Sequence, residues 1–269
     1  MSVPNVLILT PIRFDVASLA LVVTANSVQQ TLTMSVTPGR DYWVSGDNQA
    51  DGAGAVNGVG DLLQMFEDML ETHAQISAAT VSMDSDYSLT IQVTATGTTD
   101  LEWSHASTTL DPEPFGFTDT DADDAGAGTI SSPSACQGVW NPEQPVSVDS
   151  RNRQPIVGGV ALSLSGYPRV SRIATPLPER ELVFELVNQR KVLDEFVDSD
   201  EPYGSFEWNW TNALALGRNF RLYENESDLS TAANYGVYRV SSLDQPLERG
   251  QQYNVLWTLT LMAVLLEAA

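Results

Sequence analysis

The sequence predicts a mainly β protein of the α+β type, with β-sandwich or barrel-like sheets and one or two flanking amphipathic helices. Apolar and polar residues alternate along several short runs, such as Val28–Val36 and Tyr87–Val93, and a period of two is typical of strands with one buried face. Clusters of Gly, Pro, Asn and Asp separate these runs, as expected for turns. In the first half, only residues 61–73 have the spacing of an amphipathic helix.

The segment from Asp61 to Phe117 is predicted to fold as a compact unit of a helix, a hairpin and a short strand. The unit ends in a segment that we call the aromatic closure, residues 110–117. The hairpin spans residues 80–94, and the short strand carries Leu101-Glu-Trp103. One face of the helix is predicted to pack on a sheet: Leu62, Leu63, Phe66, Met69, Leu70 and His73. The acidic residues are expected to fall mostly on the other face: Asp61, Glu67, Asp68 and Glu71. Asp61 is expected to cap the helix N-terminus, and His73 to cap its end.

The residues before this unit are predicted to be β-structure. Residues 5–14 form a first strand, and residues 19–36 form a hairpin or a bent strand with its bend at Ala25-Asn-Ser27. Pro38-Gly39 indicates a turn. Tyr42-Trp-Val44 has the character of another short strand.

The second half is predicted to be mostly β as well, with one helix over Gln189–Val197. The strands are expected at 156–165, 169–174, 181–187, 206–210, 220–223, 235–240 and 253–266. One helical turn is expected at Asn212–Leu216, closed by Gly217.

A stretch rich in Gly, Ser, Pro and Asn divides the chain in composition. It predicts a β-rich domain over residues 1–128 with its helix at 61–73, a linker or loop over 129–155, and a second β-rich domain over 156–269. Arginines are concentrated after the linker. This distribution predicts either two domains of different polarity or a second half that docks on acidic partners, including copies of the first half.

Charge is the strongest bulk property of the chain. Its 269 residues include 35 acidic and 13 basic side chains, for a formal net charge of -22. Such a chain repels nucleic acid and anionic membranes. Two interpretations follow: a solubility surface suited to a salty environment, or acidic faces that line a passage through which DNA slides without sticking.

The sequence predicts no membrane span and no secretion signal. No apolar run is long enough to cross a bilayer, and the N-terminal residues have no basic segment. The single cysteine, Cys136, excludes an internal disulfide. It has no histidine nearby, so a metal site built on its thiol is not expected.

Two patterns suggest chemistry but do not meet its requirements. The glycines between Gly52 and Gly60 precede a helix, yet no lysine follows them, and Asp61 would repel a phosphate. Ser104, His105 and Glu102 are the residue types of a catalytic triad. Because adjacent strand residues point to opposite faces, Ser104 and His105 are poorly placed to act together.

The loop that begins at Asp119 has part of the pattern of a calcium-binding loop. Acidic residues match at its positions 1, 3 and 5, but Asp124 replaces the expected glycine and Ile130 the expected glutamate. Asp119–Asp124 could hold a cation loosely, although a solvated loop is the simpler expectation. We therefore predict no catalytic residues, no cofactor and no defined metal site.

Two stretches carry a resemblance to a known class of proteins. Leu101-Glu-Trp-Ser, followed by Thr108-Thr-Leu-Asp-Pro-Glu-Pro-Phe-Gly-Phe117, resembles a helix–hairpin pattern of virion structural proteins. In the second half, the stretch from Arg169 through Pro202-Tyr-Gly-Ser-Phe-Glu-Trp-Asn-Trp210 is similar to β-rich tail proteins of tailed bacteriophages, of the tail-tube or tail-associated type. The resemblance implies a self-assembling structural protein that stacks in rings and has no catalytic residues.

The leading hypothesis is a phage virion structural protein that forms rings of the tail tube or of a tail-proximal adaptor. It would assemble in the host cytoplasm with other virion proteins and pass DNA through an acidic lumen without specific binding. One alternative is a capsid decoration or head-associated protein. Another is a carbohydrate-binding β-sandwich, suggested by six tryptophans and eight tyrosines. An enzyme is not expected, because two histidines and one cysteine leave no convergent acid–base motif.

Overall fold

A computed structural model describes residues 7–45, 61–84, 87–140, 158–162, 168–172, 179–187, 209–223, 235–243 and 256–268. Within these ranges the chain forms fifteen β-strands and one α-helix. The predicted mainly β class is therefore confirmed. The second predicted helix, at 189–197, lies outside the described residues.

The strands of the first half are β1 Leu7–Leu9, β2 Ser18–Ala25, β3 Val28–Ser35, β4 Ile76–Met83, β5 Leu89–Ala95, β6 Thr99–Glu102, β7 Ala122–Asp123, β8 Thr129–Ser131 and β9 Val139–Trp140. The later strands are β10 Gly158–Leu162, β11 Pro168–Arg172, β12 Glu179–Val187, β13 Asn219–Tyr223, β14 Tyr235–Leu243 and β15 Leu256–Ala268. The helices are α1 Leu62–Glu71, a 3₁₀ turn at Glu113–Phe115 and a π-helical turn at Trp210–Leu214.

These strands form four sheets in which every strand pair is antiparallel. Their orders are β12-β15-β14-β13-β1-β9, β3-β2-β6-β7, β4-β5-β8 and β10-β11. Residues from β1 to β6, α1, β8 and β9 contribute to one hydrophobic core. The three larger sheets thus share a common interior.

The hairpin predicted over residues 19–36 is confirmed as β2 and β3. Its two-residue turn, Asn26-Ser27, has φ angles of 49° and 62°. Positive φ at both turn residues is the geometry that matches the twist of a tight hairpin. The pairing from Ala25–Val28 to Ser18–Ser35 has no irregularity, so β3 pairs with β2 along its whole length without a bulge.

Helix α1 covers the outer edge of β4 with two carboxylates. Glu67 Oε2 accepts a hydrogen bond from the Val81 N–H at 2.9 Å, and Glu71 Oε1 accepts one from the Ala79 N–H at 3.1 Å. The placement of Glu67 on the polar face of the helix is therefore wrong, because its side chain is buried. The outward N–H groups of an edge strand that is covered by a helix need hydrogen-bond acceptors. Glu67 provides one such acceptor.

Four aromatic rings link the helix to the predicted aromatic closure. Phe66 lies 4.7 Å from Phe115 and 6.2 Å from Trp103, measured between ring centroids, and Trp103 stacks on Phe117 at 5.4 Å. All four rings are buried. Gly116 allows the chain to turn between the two phenylalanines, with φ at 74°, a conformation that costs glycine little.

Strands from both predicted domains share the six-stranded sheet. Strand β1 pairs with β13 on one side and with β9 on the other. In addition, β8 pairs with β5, so residues 129–131 and 139–140 of the predicted linker lie in sheets. The division of the chain into two domains remains a prediction.

Two short predicted strands take other forms. Tyr42 and Trp43 make isolated bridges, to Ile12 and to Asp61 at the start of α1. The predicted strand at 206–210 overlaps a helical turn instead, since residues 209–214 are helical. The expected closure by Gly217 is confirmed: its N–H bonds to the carbonyl of Leu214 at 3.0 Å, and its φ is 64°.

Candidate functional site

A buried ion pair connects the two halves of the chain. Arg221 on β13 donates from Nη1 to Asp61 Oδ1 at 2.6 Å and to Ser45 Oγ at 2.9 Å. Ser45 in turn donates to Asp61 Oδ1 at 2.5 Å, and the guanidinium lies 4.2 Å from the centroid of the Trp43 ring. We call Trp43, Ser45, Asp61 and Arg221 the Arg221 cluster. The Asp61 and Arg221 side chains are only 5% and 4% exposed, so water screens their attraction little.

The carboxylate of Asp61 is available to Arg221 because the helix is capped in another way. Asp61 occupies the N-cap position but makes no side-chain capping bond. The N–H groups of Leu62 and Leu63 bond instead to the carbonyls of Trp43 and Ser45. The predicted capping role of the Asp61 side chain is therefore wrong. Backbone acceptors satisfy the first helical N–H groups.

Acidic side chains are concentrated at one end of the four-stranded sheet. Asp100 on β6 is directly opposite Asp123 on the edge strand β7. Glu102 and Asp121 are the other acidic neighbours that act on Asp100. We call Asp100, Glu102, Asp121 and Asp123 the acidic edge. Like charges in directly opposed positions destabilise a sheet, so this clustering costs the fold stability.

Burial raises the pKa of Asp100 above its ordinary value of 3.8, and the charges of Asp121, Glu102 and Asp123 raise it further. Burial also raises the pKa of Asp111. The Glu113 N–H opposes that shift, and the Glu113 and Asp119 charges add to it. Among the described residues, no basic side chain contributes to either shift. The acidic edge is thus a region of negative potential.

Asp100→Asn is expected to stabilise the protein at neutral pH. Because folding raises the pKa of Asp100, its penalty is absent below about pH 3.8 and grows as pH rises through the raised value. The urea midpoint of the variant should exceed that of wild type at pH 7 and match it at pH 3. The gain should shrink in high salt, which screens the neighbouring charges. A variant that is less stable than wild type at pH 7 would contradict this explanation.

The triad residue types do not converge. Glu102 Oε1 accepts hydrogen bonds from Thr24 Oγ1 at 2.6 Å and from Gln29 Nε2 at 2.9 Å. The His105 Nδ1 accepts the backbone N–H of Ser107 at 3.0 Å. Neither group bonds to the hydroxyl of Ser104. The three side chains therefore lack the nucleophile–base contact that such catalysis requires.

The aspartates of the calcium-like loop bond to the protein backbone. Asp123 Oδ1 accepts the N–H of Ala125, Asp124 Oδ1 that of Gly126, and Asp121 Oδ1 that of Ser104, each at 2.8 Å. These contacts stabilise local turns. In the described part of the chain, no group of three or more His, Cys, Asp or Glu side chains is arranged to hold a metal ion.

His73 links the end of the helix to β3 instead of capping it. Its Nδ1 accepts the N–H of Gln75 at 3.1 Å, so its Nε2 carries the proton that is donated to the carbonyl of Val28, also at 3.1 Å. The ring is buried. Both ring nitrogens therefore have structural partners. Cys136 is also buried.

The carbohydrate-binding alternative requires exposed aromatic faces. Of the aromatic side chains that the structure describes, Trp43 and Tyr87 are half-buried and the others are buried. Trp208 and the side chain of Trp210 lie outside that set.

No helix among the described residues has the length and apolar character needed to cross a membrane. The glycines of residues 52–60 also lie outside the described ranges.

No family model matches the sequence, and a search of curated proteins finds no match. The main site features that sequence reasoning missed are the Arg221 cluster and the acidic edge. The spacing of Glu67 from Leu63 and Leu70 already places it on the apolar face of the helix. No comparable signal pairs Asp61 with Arg221, which are 160 residues apart.

Proposed function

We propose that the protein is a virion structural protein of a tailed bacteriophage, which forms rings of the tail tube or of a tail-proximal adaptor. In this role copies of the chain and other virion proteins are its partners, and DNA passes an acidic lumen without specific binding. The protein assembles in the host cytoplasm, becomes part of the tail, and needs no catalytic residue or cofactor.

The observation that carries the proposal is the acidic edge. Four carboxylates lie together at the edge of one sheet although burial and the repulsion of the other three raise the pKa of Asp100. A surface of this kind cannot gain affinity for DNA by releasing counterions, because it presents no cations to the phosphates. A ring with such edges around its hole would let DNA move with little adhesion.

The Arg221 cluster supports the same proposal in a second way. A subunit of a tube must remain one rigid body while forces act across it, and the buried ion pair joins α1 to β13 inside the subunit. A buried ion pair holds the two elements that carry it in one arrangement, because separating them would leave a buried charge without its counter-charge. The cluster therefore holds the start of α1 against β13, which suits a subunit that must keep one shape in every copy.

The test is negative-stain microscopy of the purified protein beside its mass from light scattering, at low and high salt. We expect rings or tubes with a hole of about 20 Å or more, wide enough for duplex DNA. A protein that remains monomeric at every salt concentration would contradict the ring proposal. Assemblies without a hole would favour the capsid decoration alternative.

A further inference from the structure

Two acids of the acidic edge face each other at close range. The Asp124 N–H donates to the carbonyl of Thr99 at 3.0 Å, so Thr99 and Asp124 form a hydrogen-bonded pair of the β6–β7 ladder. Such pairs alternate with non-hydrogen-bonded pairs, in which the Cα atoms are about 4.5 Å apart and the side chains are closer. Asp100 and Asp123 are the next pair along the ladder and are therefore of the close type.

The same opposition is repeated one step along the two chains. Glu102 lies two residues after Asp100, and Asp121 lies two residues before Asp123, so all four side chains point to one face of the sheet. The register of β6 and β7, extended by one residue, sets Glu102 opposite Asp121. The acidic edge is therefore a block of four carboxyl groups in two opposed pairs.

The groups that face Asp100 from the neighbouring strands are uncharged or negative. On the other side of β6, strand β2 places Thr24 opposite Asp100, and β3 contributes Gln29, which donates to Glu102. Among the described residues, the charged groups that act on Asp100 are the other three acids of the acidic edge. Their repulsion is thus uncompensated within the described part of the chain.

Asp100 differs from the other three acids in its hydrogen bonds. Each of those three accepts a hydrogen bond from a protein group. The Oδ1 of Asp100 is buried and has no hydrogen-bond partner among the described residues. Burying an acceptor without a donor is costly, and two carboxyl groups this close cannot both ionise without a penalty. One proton shared between Asp100 and Asp123 removes both costs.

The segment that carries β7 is held weakly by the rest of the fold. We call residues 118–127 the β7 strap. Asp124 is its one buried residue, and of its alanines Ala122 packs on the core while half-buried. The chain is anchored on either side of the strap, where Phe117 is buried and Gly128 accepts the N–H of Val93 at 2.8 Å. A segment that buries so little apolar surface can open while the rest stays folded.

We infer that the β7 strap is a pH-sensitive closure: it lies against β6 while Asp100 and Asp123 share one proton, and it opens when both carboxyl groups are ionised. Opening separates the two carboxylates and lets water reach the Oδ1 of Asp100. It also exposes the β6 backbone groups that β7 covers, while the other side of β6 remains paired with β2. The protonation of one pair of acids thus controls access to one sheet edge.

The direction of the pH dependence follows from Asp100. Burial, and then the charges of the other three acids, raise the pKa of Asp100 above 3.8 in the closed strap. A group with a raised pKa favours the state that raises it at low pH, and this preference is lost as pH rises through the raised value. The strap is therefore closed most firmly below about pH 3.8 and opens more often toward neutral pH.

The first experiment measures opening by hydrogen exchange of single amides in the full chain. The Asp124 N–H reports on the strap, and the Val93 N–H, bonded to Gly128, reports on the anchor beside it. After correction for intrinsic exchange, we expect protection of Asp124 to be at least tenfold higher at about pH 4 than at about pH 7, and that of Val93 to change less than about twofold. Equal protection of Asp124 at the two pH values would overturn the inference, and so would a parallel loss at Val93.

The second experiment removes the charge and keeps the hydrogen-bonding atoms. D123N retains the Oδ1 that accepts the Ala125 N–H, and it should keep Asp124 as protected at neutral pH as wild type is in acid. D84N is the matched control: Asp84 is exposed and bonds to Thr90 in another hairpin, so this variant should retain the wild-type pH dependence. A wild-type pH dependence in D123N, or its loss in D84N, would overturn the inference.

The inference concerns a movement within one subunit and does not need the virion role. Rings with a DNA-wide hole whose Asp124 protection is independent of pH would overturn the inference and leave the proposed function intact. A monomer whose strap opens with rising pH, and stays closed in D123N, would contradict the ring and support the inference.

Discussion

Arg221→Met is expected to lower the free energy of unfolding by about 3–5 kcal/mol, the range for removing one partner of a buried ion pair. The methionine fills much of the same space, but it leaves the Asp61 carboxylate, 5% exposed, with the Ser45 hydroxyl and no positive charge. The contact of the guanidinium with the Trp43 ring is lost as well. Urea unfolding at neutral pH measures the change.

Two comparisons separate the buried charge from other causes. Arg13→Met breaks the exposed pair with Asp41, in which the arginine side chain is 38% exposed, and it should cost no more than about 1 kcal/mol. Asp61→Asn combined with Arg221→Met removes the uncompensated charge and should recover part of the loss. If Arg221→Met lowered the free energy of unfolding no more than Arg13→Met does, the Arg221 cluster would not hold α1 against β13.

Gly116→Ala is expected to be the second strongly destabilising change. The residue has φ at 74°, and a Cβ there would lie 2.1 Å from the backbone oxygen of Ser134 and 2.8 Å from Ser132 Oγ. The Ser134 segment cannot retreat freely, because the Ser134 N–H donates to the carbonyl of Gly116 at 3.1 Å. The overpacking should add about 1–3 kcal/mol to the cost of a left-handed alanine.

Gly39→Ala is the matched control. Gly39 also has φ at 74°, but nothing lies within 4 Å of its Cβ position, so only the conformational cost of about 1–2 kcal/mol applies. The difference between the two urea midpoints therefore measures the cost of the contacts with Ser134 and Ser132. Equal losses in the two variants would show that the Ser134 carbonyl moves aside at little cost.

Local patterns in the sequence predicted the local elements well. The β2–β3 hairpin follows from alternation up to Val36 and from Asn26-Ser27, which accept the positive φ of a tight turn. Helix α1 follows from the spacing of Leu62, Phe66 and Leu70. In each case neighbouring residues supply both the element and the surface that it buries.

The long-range features were not accessible in this way. Strand β1 has only three residues, and nothing in its sequence specifies β13 as its neighbour. Asp61 fits an N-cap by local rules, and it binds Arg221 because a strand from the far end of the chain lies beside it. Likewise, the direct opposition of Asp100 and Asp123 depends on the register of β6 and β7, which the sequence of either strand does not determine.

The pairing of β1 with β13 also determines when the subunit can finish folding during synthesis. Thr10, directly after β1, donates a hydrogen bond to Asn209, 199 residues later. At about 5–20 residues per second, the ribosome needs roughly 10–40 s to make that stretch. Throughout this interval β1 has no β13 to pair with, and the Asp61 carboxylate has no arginine. Any fragment that ends before β13 therefore keeps one side of β1 without its partner strand, although β9 can still pair with the other side.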